Sequence, residues 1–357
     1  MTLYKIYDRR TLKLVDTGIV KDYCVDFDYM ANNASTLCMV KKSKGHKGDI
    51  VAITEGATLI ALGCVTAIDN GDLKISFKHM KELFNDSVIN VFKFTGVLNK
   101  RFEGVQGLQT ILTLGFLNNT DHEMNLPIEF RLFGRENSVV WVDDGDTLNV
   151  VDFIDFLFDH YNIFLDFELD FINDRIICTI NKNTTSGLVL KDNIRLSKPE
   201  LDNNELPREN RAILFDKDRG TIRQTFFLLQ DNTLTTNRNH ARRILPPATR
   251  YVAWDEVDAI REGYTMQELA FSEIGGNLYG HCILYKLAKT QTMVEPRQFA
   301  YGDQIRIIYE GRSYDSIFTG LKFKKNDPFY TCIFGKARID FTDRMKMHNN
   351  RRFAKRN

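Results

Sequence analysis

The sequence predicts a β-rich α+β chain: two related β-domains, an α+β middle domain and a helical insertion. Three observations carry this. Short runs of alternating apolar and polar residues dominate both ends of the chain. Apolar residues at intervals of three and four mark the middle, and helical patterning returns after a Pro-Pro break. The segment beginning "GDIVAITEG" near the start comes back as "GDQIRIIYEG" near the end. With 357 residues, 43% of them apolar, the chain is long enough for several cores.

Residues 1–95 read as the first β-domain. "LYKIYD" and "LKLVDTGIV" are joined by a turn at Arg9 and Arg10. "TLCMV", "DIVAI" and "TLIALGCVTAI" follow, separated by polar turns, and Asn70-Gly71 predicts a hairpin because this dipeptide accepts φ > 0. Residues 96–182 read as the α+β middle domain. "GLQTILTLGF" sets Leu108, Ile111, Leu112 and Phe116 on one helical face. "DTLNVVDFIDFLFDHYN" does the same for Leu148, Val151, Ile154, Phe158 and Tyr161, with Asp146 or Thr147 as N-cap and Asn162 as terminator. "FLDFELDF" and "IICTI" then form a hairpin. Residues 183–245 and 280–345 read as the second β-domain, with "RAILFD", "TFFLLQ" and "HCILYKLA" among its strands. The helical insertion, residues 246–279, interrupts it; Thr265 and Glu268 form a capping box there and Gly275-Gly276 ends the helix. Residues 346–357 form a basic tail.

Aligning Phe77 with Phe334 places Phe84 on Phe341 and Asp86 on Asp343 without a gap, and Gly48-Asp49 falls on Gly302-Asp303. Two anchors in one order predict an internal duplication, so residues 46–86 and 302–343 are expected to share one strand order. A doubled β-domain suits a symmetric assembly. Three copies closed by heterologous contacts present six similar domains, a threefold object with a quasi-sixfold face that can dock on a sixfold tube.

Lys and Arg total 48 against 47 for Asp and Glu, which excludes a whole-molecule field toward nucleic acid or an anionic membrane. Six cysteines without a C-x-x-C pair or a histidine at ligand spacing read as buried thiols of a reducing compartment. "MTLYKIYDRR" has no secretory apolar core, and no apolar run reaches the ~20 residues of a membrane span. No H-E-x-x-H, G-x-S-x-G or G-x-x-x-x-G-K occurs, so no catalytic, metal or cofactor residue is expected. Asp143, Asp144 and Asp146, ahead of the helix that bears Asp152, Asp155 and Asp159, read as a turn, an N-cap and a solvated helix face, with a cation site as the alternative. Asp166, Glu168 and Asp170 share one strand face, either solvated or lining a channel. His160, near a helix C-terminus, reads as structural. Arg238, Arg242, Arg243 and Arg250 read as a solvated loop. Arg351, Arg352, Phe353, Lys355 and Arg356 read as a frayed terminus or a segment docking on a protein neighbour.

The segments "YKIYDRRTLKLVDTGIV", "GDIVAI", "NVVDFIDFLFDHYNIFLDFELDF" and "FTGLKFKKNDPFYTCIFGKARIDFTDRMK", in that order, span nearly the whole chain. In them the sequence resembles the baseplate or tail-tip hub proteins of tailed bacteriophages, the class that includes the N-terminal part of tail-associated lysins. The resemblance implies a structural homotrimer at the virion tail tip, assembled in the host cytoplasm. It further implies that the two tube-type β-domains of each copy sit under a sixfold distal tail protein ring and that the trimer closes the tail channel until genome ejection. Tape measure and receptor-binding proteins are further implied partners; DNA is met only in transit, and no cofactor is implied. Only 14 residues follow Asp343, so the muralytic or receptor-binding extension of longer members is not expected. A cell-wall-degrading tail peptidase or muralytic enzyme is the alternative, and it lacks a catalytic constellation. A nucleic-acid-binding β-barrel would need aromatic and basic residues interleaved on a strand face, whereas "YKIYD" and "IRIIYEG" are mixed-charge and mostly apolar.

Overall fold

The computed structural model describes residues 1–31, 33–85, 88–90, 101–133, 139–141, 147–182, 188–191, 197–202, 208–289, 296, 299–309 and 311–336. The first six strands are β1 (Thr2–Tyr7), β2 (Leu14–Asp28), β3 (Ser35–Met39), β4 (Ile50–Glu55), β5 (Thr58–Asp69) and β6 (Lys74–Lys78). They pair antiparallel in the order β1-β4-β5-β6-β3-β2, and β2 returns to β1, so this sheet closes on itself. Closure is possible because β2 is 15 residues long and serves three neighbours in turn. The turn after β1 is built by Asp8, whose carboxylate accepts from the backbone of Arg10 and Thr11. The hairpin after β5 lies where Asn70-Gly71 placed it, but its chemistry differs. Asp69 accepts from the backbone N–H of Gly71 and Asp72, and Leu73, not Gly71, takes the left-handed φ of 51°.

The middle unit follows a 3₁₀ turn at Met80–Phe84. It holds β7 (Val88–Asn90), β8 (Arg101–Glu103), α1 (Gly104–Phe116), β9 (Ile128–Phe133), β10 (Val139–Trp141), β11 (Thr147–Asn149), α2 (Val150–Tyr161), β12 (Ile163–Asp170) and β13 (Arg175–Lys182). The predicted β12–β13 hairpin is extended by β9, which runs parallel to β13, while β7 pairs with β11 and β8 with β10. Leu108, Ile111, Leu112 and Phe116 of α1 and Val151, Ile154, Phe158 and Tyr161 of α2 are all buried in one core. Asn149, not Asp146 or Thr147, caps α2, its Oδ1 accepting from Val151 N, because β11 continues to Asn149 before the helix begins. Asn162 ends the helix in the left-handed region, as read from the sequence.

The chain continues through β14 (Leu188–Lys191) and β15 (Ser197–Asp202) into β16 (Arg211–Asp216), β17 (Ile222–Leu228), β18 (Leu234–Thr235), β19 (Thr249–Trp254), α3 (Glu256–Glu262) and α4 (Met266–Ile274). Here the structure departs from the expected division at 245/246. "RAILFD" and "TFFLLQ" join β19 in a separate four-stranded sheet, β18-β17-β16-β19, with β16 parallel to β19. Its core combines Leu214, Phe226 and Val252 with Leu269, Ala270 and Ile274 of α4. A small sheet must cover its apolar face, and the amphipathic helix that follows it in sequence does so. The Thr265–Glu268 capping box is present in both directions. Thr265→Ala is therefore expected to lower stability by about 1 kcal/mol, read as a small shift in the urea midpoint, and to leave assembly unchanged.

The last strands are β20 (Cys282–Ala288), β21 (Gln304–Tyr309), β22 (Arg312–Lys324) and β23 (Phe329–Phe334). They pair in the order β14-β21-β22-β23-β20-β15, and β2 joins β22, giving one 12-stranded sheet. One apolar core runs through both halves, from Tyr4 and Ile6 to Tyr285 and Phe334. The halves differ at one edge. β14 runs parallel to β21 where β1 runs antiparallel to β4, and β14 and β15 are not paired with each other among the described residues.

Candidate functional site

The two Gly-Asp anchors adopt one geometry. Gly48 has φ +91° and Gly302 φ +78°, a region that favours glycine. Gly48 N donates to Val65 O and Val65 N to Asp49 O; Gly302 N donates to Phe318 O and Phe318 N to Asp303 O. Each aspartate also accepts from a backbone N–H three residues upstream, His46 for Asp49 and Ala300 for Asp303. The strands that follow repeat the match. Val65 pairs with Phe77 and Phe318 with Phe334, each at a register irregularity immediately after it. Phe77 and Phe334 are both 0% exposed in the shared core. Phe84 behaves differently from its expected role as an anchor of the repeat. It is buried against Phe116 and Phe130 of the middle unit, because the 3₁₀ turn carries it out of the β-domain. Asp86, Phe341, Asp343 and the tail Arg351, Arg352, Phe353, Lys355 and Arg356 lie outside the described residues, as do Asp143, Asp144 and Asp146.

The halves meet where residues 24–28 of β2 run along 320–324 of β22. Lys322 Nζ donates to Asp26 at 2.7 Å, and that bond holds the lysine above its ordinary range. The strands approach closely at Gly320, where a Cβ would stand 2.9 Å from Asp28 Cα and Phe27 O. Just beyond, Tyr29 touches all three units. Its backbone N donates to Thr319 O, its hydroxyl accepts from Leu165 N, and its carbonyl accepts from Lys81 Nζ. His79 sits among Tyr29, Tyr301, Phe27 and Phe167, and burial, with the Lys81 charge nearby, pushes its pKa down to about 3.

Helix α2 is clamped to its neighbours by ions. Lys81 pairs with Asp155, whose pKa burial pushes up to about 6 against the pull of Lys81. Asp159 accepts from Arg208 Nη1 at 3.0 Å and lies 4.0 Å from Lys336 Nζ, a side chain 2% exposed. Burial alone would raise Asp159, but Arg208 and Lys336 outweigh it and hold the carboxyl well below the usual range. Lys336 also donates to the carbonyls of Phe158 and Asp159, and Arg208 to the carbonyl of Lys336. The expected solvated helix face is thus corrected at Asp155 and Asp159. Both project into ion-paired contacts with residues that follow β6, β15 and β23, while Asp152 is exposed. Nothing in the periodicity marked Lys81, Arg208 or Lys336; the available signal was that Lys336, which is buried, aligns with His79, which is half-buried.

Asp166 and Glu168 are exposed on β12, and Asp166 borders a cavity with Phe27, His79, Phe167 and Tyr301. The loss of water on the side of Asp166 that faces this largely apolar cavity, together with Glu168, raises its pKa. Asp170 is committed elsewhere: Asn173, Arg175 and the backbone of Ile172 donate to it and hold its pKa down to about 2. His160 is buried with its ring on Phe156. The supposed basic loop is engaged too, with Arg242 on Asp231, Arg250 on Glu273 and Arg243 over the Phe227 ring. Among the described residues no group of His, Cys, Asp and Glu could hold a metal ion, and no helix is long and apolar enough to cross a membrane.

No protein-family model matches the chain, and no curated protein matches it. Solved structures do. The prophage tail protein gp18 from Listeria monocytogenes EGD-e aligns over 98% of this chain and 99% of its own, with 11% identity and a TM-score of 0.52. The tail protein from Neisseria meningitidis MC58 aligns over 93% and 96%, also with 11% identity and a TM-score of 0.52. Covering nearly the whole of both partners, these likenesses bear out the sequence resemblance at the level of architecture: the chain has the β-rich fold of bacteriophage tail proteins.

Proposed function

We propose that this chain is a structural, non-enzymatic hub of a phage tail tip. Three copies close into a ring, present six related β-domains to a sixfold distal tail ring, and close the tail channel until the genome is ejected. The observation that supports this reading best is the duplication itself, with the same Gly-Asp clasp, the same strand register and the same register shift at Val65 and Phe318. A trimer of single β-domains offers three sites to six partner subunits, whereas a doubled chain supplies one site for each. The four-stranded insertion has its own core, and the middle unit shares its core with residues of the same chain's β-domains such as Ile50 and Cys64, so neither needs a symmetry mate, which favours positions outside the ring. Asp166 and Glu168 are assigned to the channel wall, where they repel passing DNA. The segment holding Arg351, Arg352, Phe353, Lys355 and Arg356 is assigned to docking on a protein neighbour such as the tape measure protein. Native mass spectrometry should find a trimer whose subunit contacts each bury at least about 1,000 Å². An image of the particle down its axis should show three copies of this chain under six ring subunits. One copy, or six, would end the reading.

A further inference from the structure

We infer that the first β-domain carries a basic docking face, formed by the turn after β1 and the loop before β4, for an acidic segment of the protein ring on which the hub sits, and that the second β-domain lacks it. This deepens the hub reading and rests on it. The whole chain has a net charge of only +1, so the face is a local product of the fold. Arg10, Lys13, Lys41, Lys42, Lys44 and Lys47 are all exposed there. The turn and the loop are neighbours. A Cβ on Gly48 would stand 3.2 Å from Arg9 Nη1, and one on Gly45 would stand 2.7 Å from Ile6 of β1.

The acids that hold this end together face the other way. Asp8 accepts from Arg10 N and Thr11 N, Asp16 from Lys44 N and the Tyr4 hydroxyl, and Asp49 from His46 N. Asp16 and Asp49 are buried, so their charge serves the loop's backbone while the lysines around them reach water. Asn70 clamps the loop at Ser43, accepting from its N–H at 2.8 Å and donating to its carbonyl at 3.1 Å, and Lys42 and Lys44 flank that fixed point. Lys41 leans toward Asp16 at 3.8 Å, yet its side chain is 62% exposed. Asp72, the exposed acid of the adjoining hairpin, leaves the balance positive.

The second repeat shows that the fold does not require these cations. The Gly-Asp clasps equate His46 with Ala300 and Gly48 with Gly302, so "KKSKGHK" before one clasp corresponds to "EPRQFAY" before the other. Where the first loop has Gly45 and Lys47, the second has Phe299 and Tyr301, whose rings pack on Phe318 at 5.3 and 5.8 Å. One loop turns cations to water, and its counterpart turns rings to the core. Around a ring of six related domains the basic face recurs at alternate positions, so every second subunit of a sixfold partner meets it. Opposite charge on that partner steers the encounter and fixes its register. Neither the turn nor the loop holds a phenylalanine, tyrosine or tryptophan to stack on a base, which favours the carboxylates of a protein over a nucleic-acid strand.

Binding of labelled poly-L-glutamate to the full chain, followed by fluorescence anisotropy, tests the face. The Kd should rise severalfold between about 50 and 200 mM salt. Lys42→Glu with Lys44→Glu and Lys47→Glu should raise it roughly tenfold or more. Arg219→Glu with Arg238→Glu and Lys324→Glu makes the same charge change at exposed positions elsewhere and should leave it within about threefold. Carbodiimide coupling of the polymer to the wild-type chain joins a lysine amine to a carboxylate as an amide, the carbodiimide taking up the water. It should mark Lys42, Lys44 and Lys47, and it decides the matter if the variants fail to fold. Equal losses in both triple variants, coupling spread over other lysines, or binding of duplex DNA without binding of poly-glutamate overturns the inference and leaves the hub reading standing. A chain that binds the polymer through these lysines yet stays monomeric at every concentration overturns the hub reading instead.

Discussion

Asp159→Ala should destabilise the protein by about 3–5 kcal/mol, the usual cost of removing one partner from a buried ion pair. The reason is what remains. Lys336 is 1% exposed and the Arg208 side chain only 11%, so the substitution leaves two largely covered cations without their carboxylate. The helix end is held close at this point, where Gly276 packs against the Asp159 backbone with φ +73° and no side chain. The effect is expected to depend on pH in a defined direction. The folded pKa of Asp159 lies below its unfolded value near 3.8. Its stabilisation is therefore complete above that value and is lost as the pH falls through the folded one. Urea midpoints of wild type and variant should differ most at pH 7 and converge in acid. A gap that stays constant, or widens in acid, would show that shape and not charge holds the contact. Asp159→Asn, which keeps the shape, should lose nearly as much as Asp159→Ala.

Phe77→Ala and Phe334→Ala should each cost about 3–5 kcal/mol, and by similar amounts, because both side chains are fully buried at matched register positions in one continuous core. Phe84→Ala should cost a comparable amount by a different route. It opens a cavity among Phe116, Phe130 and Phe167 and so loosens the middle unit, not the β-domain. Hydrogen exchange separates the two cases. Loss of Phe77 should deprotect amides of β3, β5 and β6, whereas loss of Phe84 should deprotect α1 and β12. A near-neutral result at Phe334 beside a costly one at Phe77 would count against the equivalence of the repeats.

Local chemistry explains which features were readable before the fold was known. Thr265 with Glu268, Asn162 after α2 and the three-four spacing of Leu108, Ile111, Leu112 and Phe116 all act within one or two turns of backbone, so the residues that decide them are sequence neighbours. The Gly48-Asp49 and Gly302-Asp303 clasps were legible for a related reason: each closes a turn over three residues and then meets the second strand of its own hairpin, at Val65 in one and Phe318 in the other. The turn after β5 was located correctly and explained wrongly, since Asp69 competes for the same backbone N–H groups that an Asn-Gly turn would arrange.

By itself the sequence determined the β-rich class, the positions of most strands and of the main helices, and the match of the two Gly-Asp segments and of Phe77 with Phe334 on which the proposed duplication rests. Alternation, capping and internal repetition are carried by neighbouring residues or by comparison of the chain with itself. Only the tertiary structure decided that residues 211–254 form a separate sheet, that Phe84 belongs to the middle unit, and that Asp155 and Asp159 face Lys81, Arg208 and Lys336 instead of water. Each of those outcomes depends on which distant surface a face meets. An acidic residue on a helix reads the same whether solvent or a lysine from the far end of the chain lies opposite, and the difference is made by packing, which sets the dielectric and the partner together.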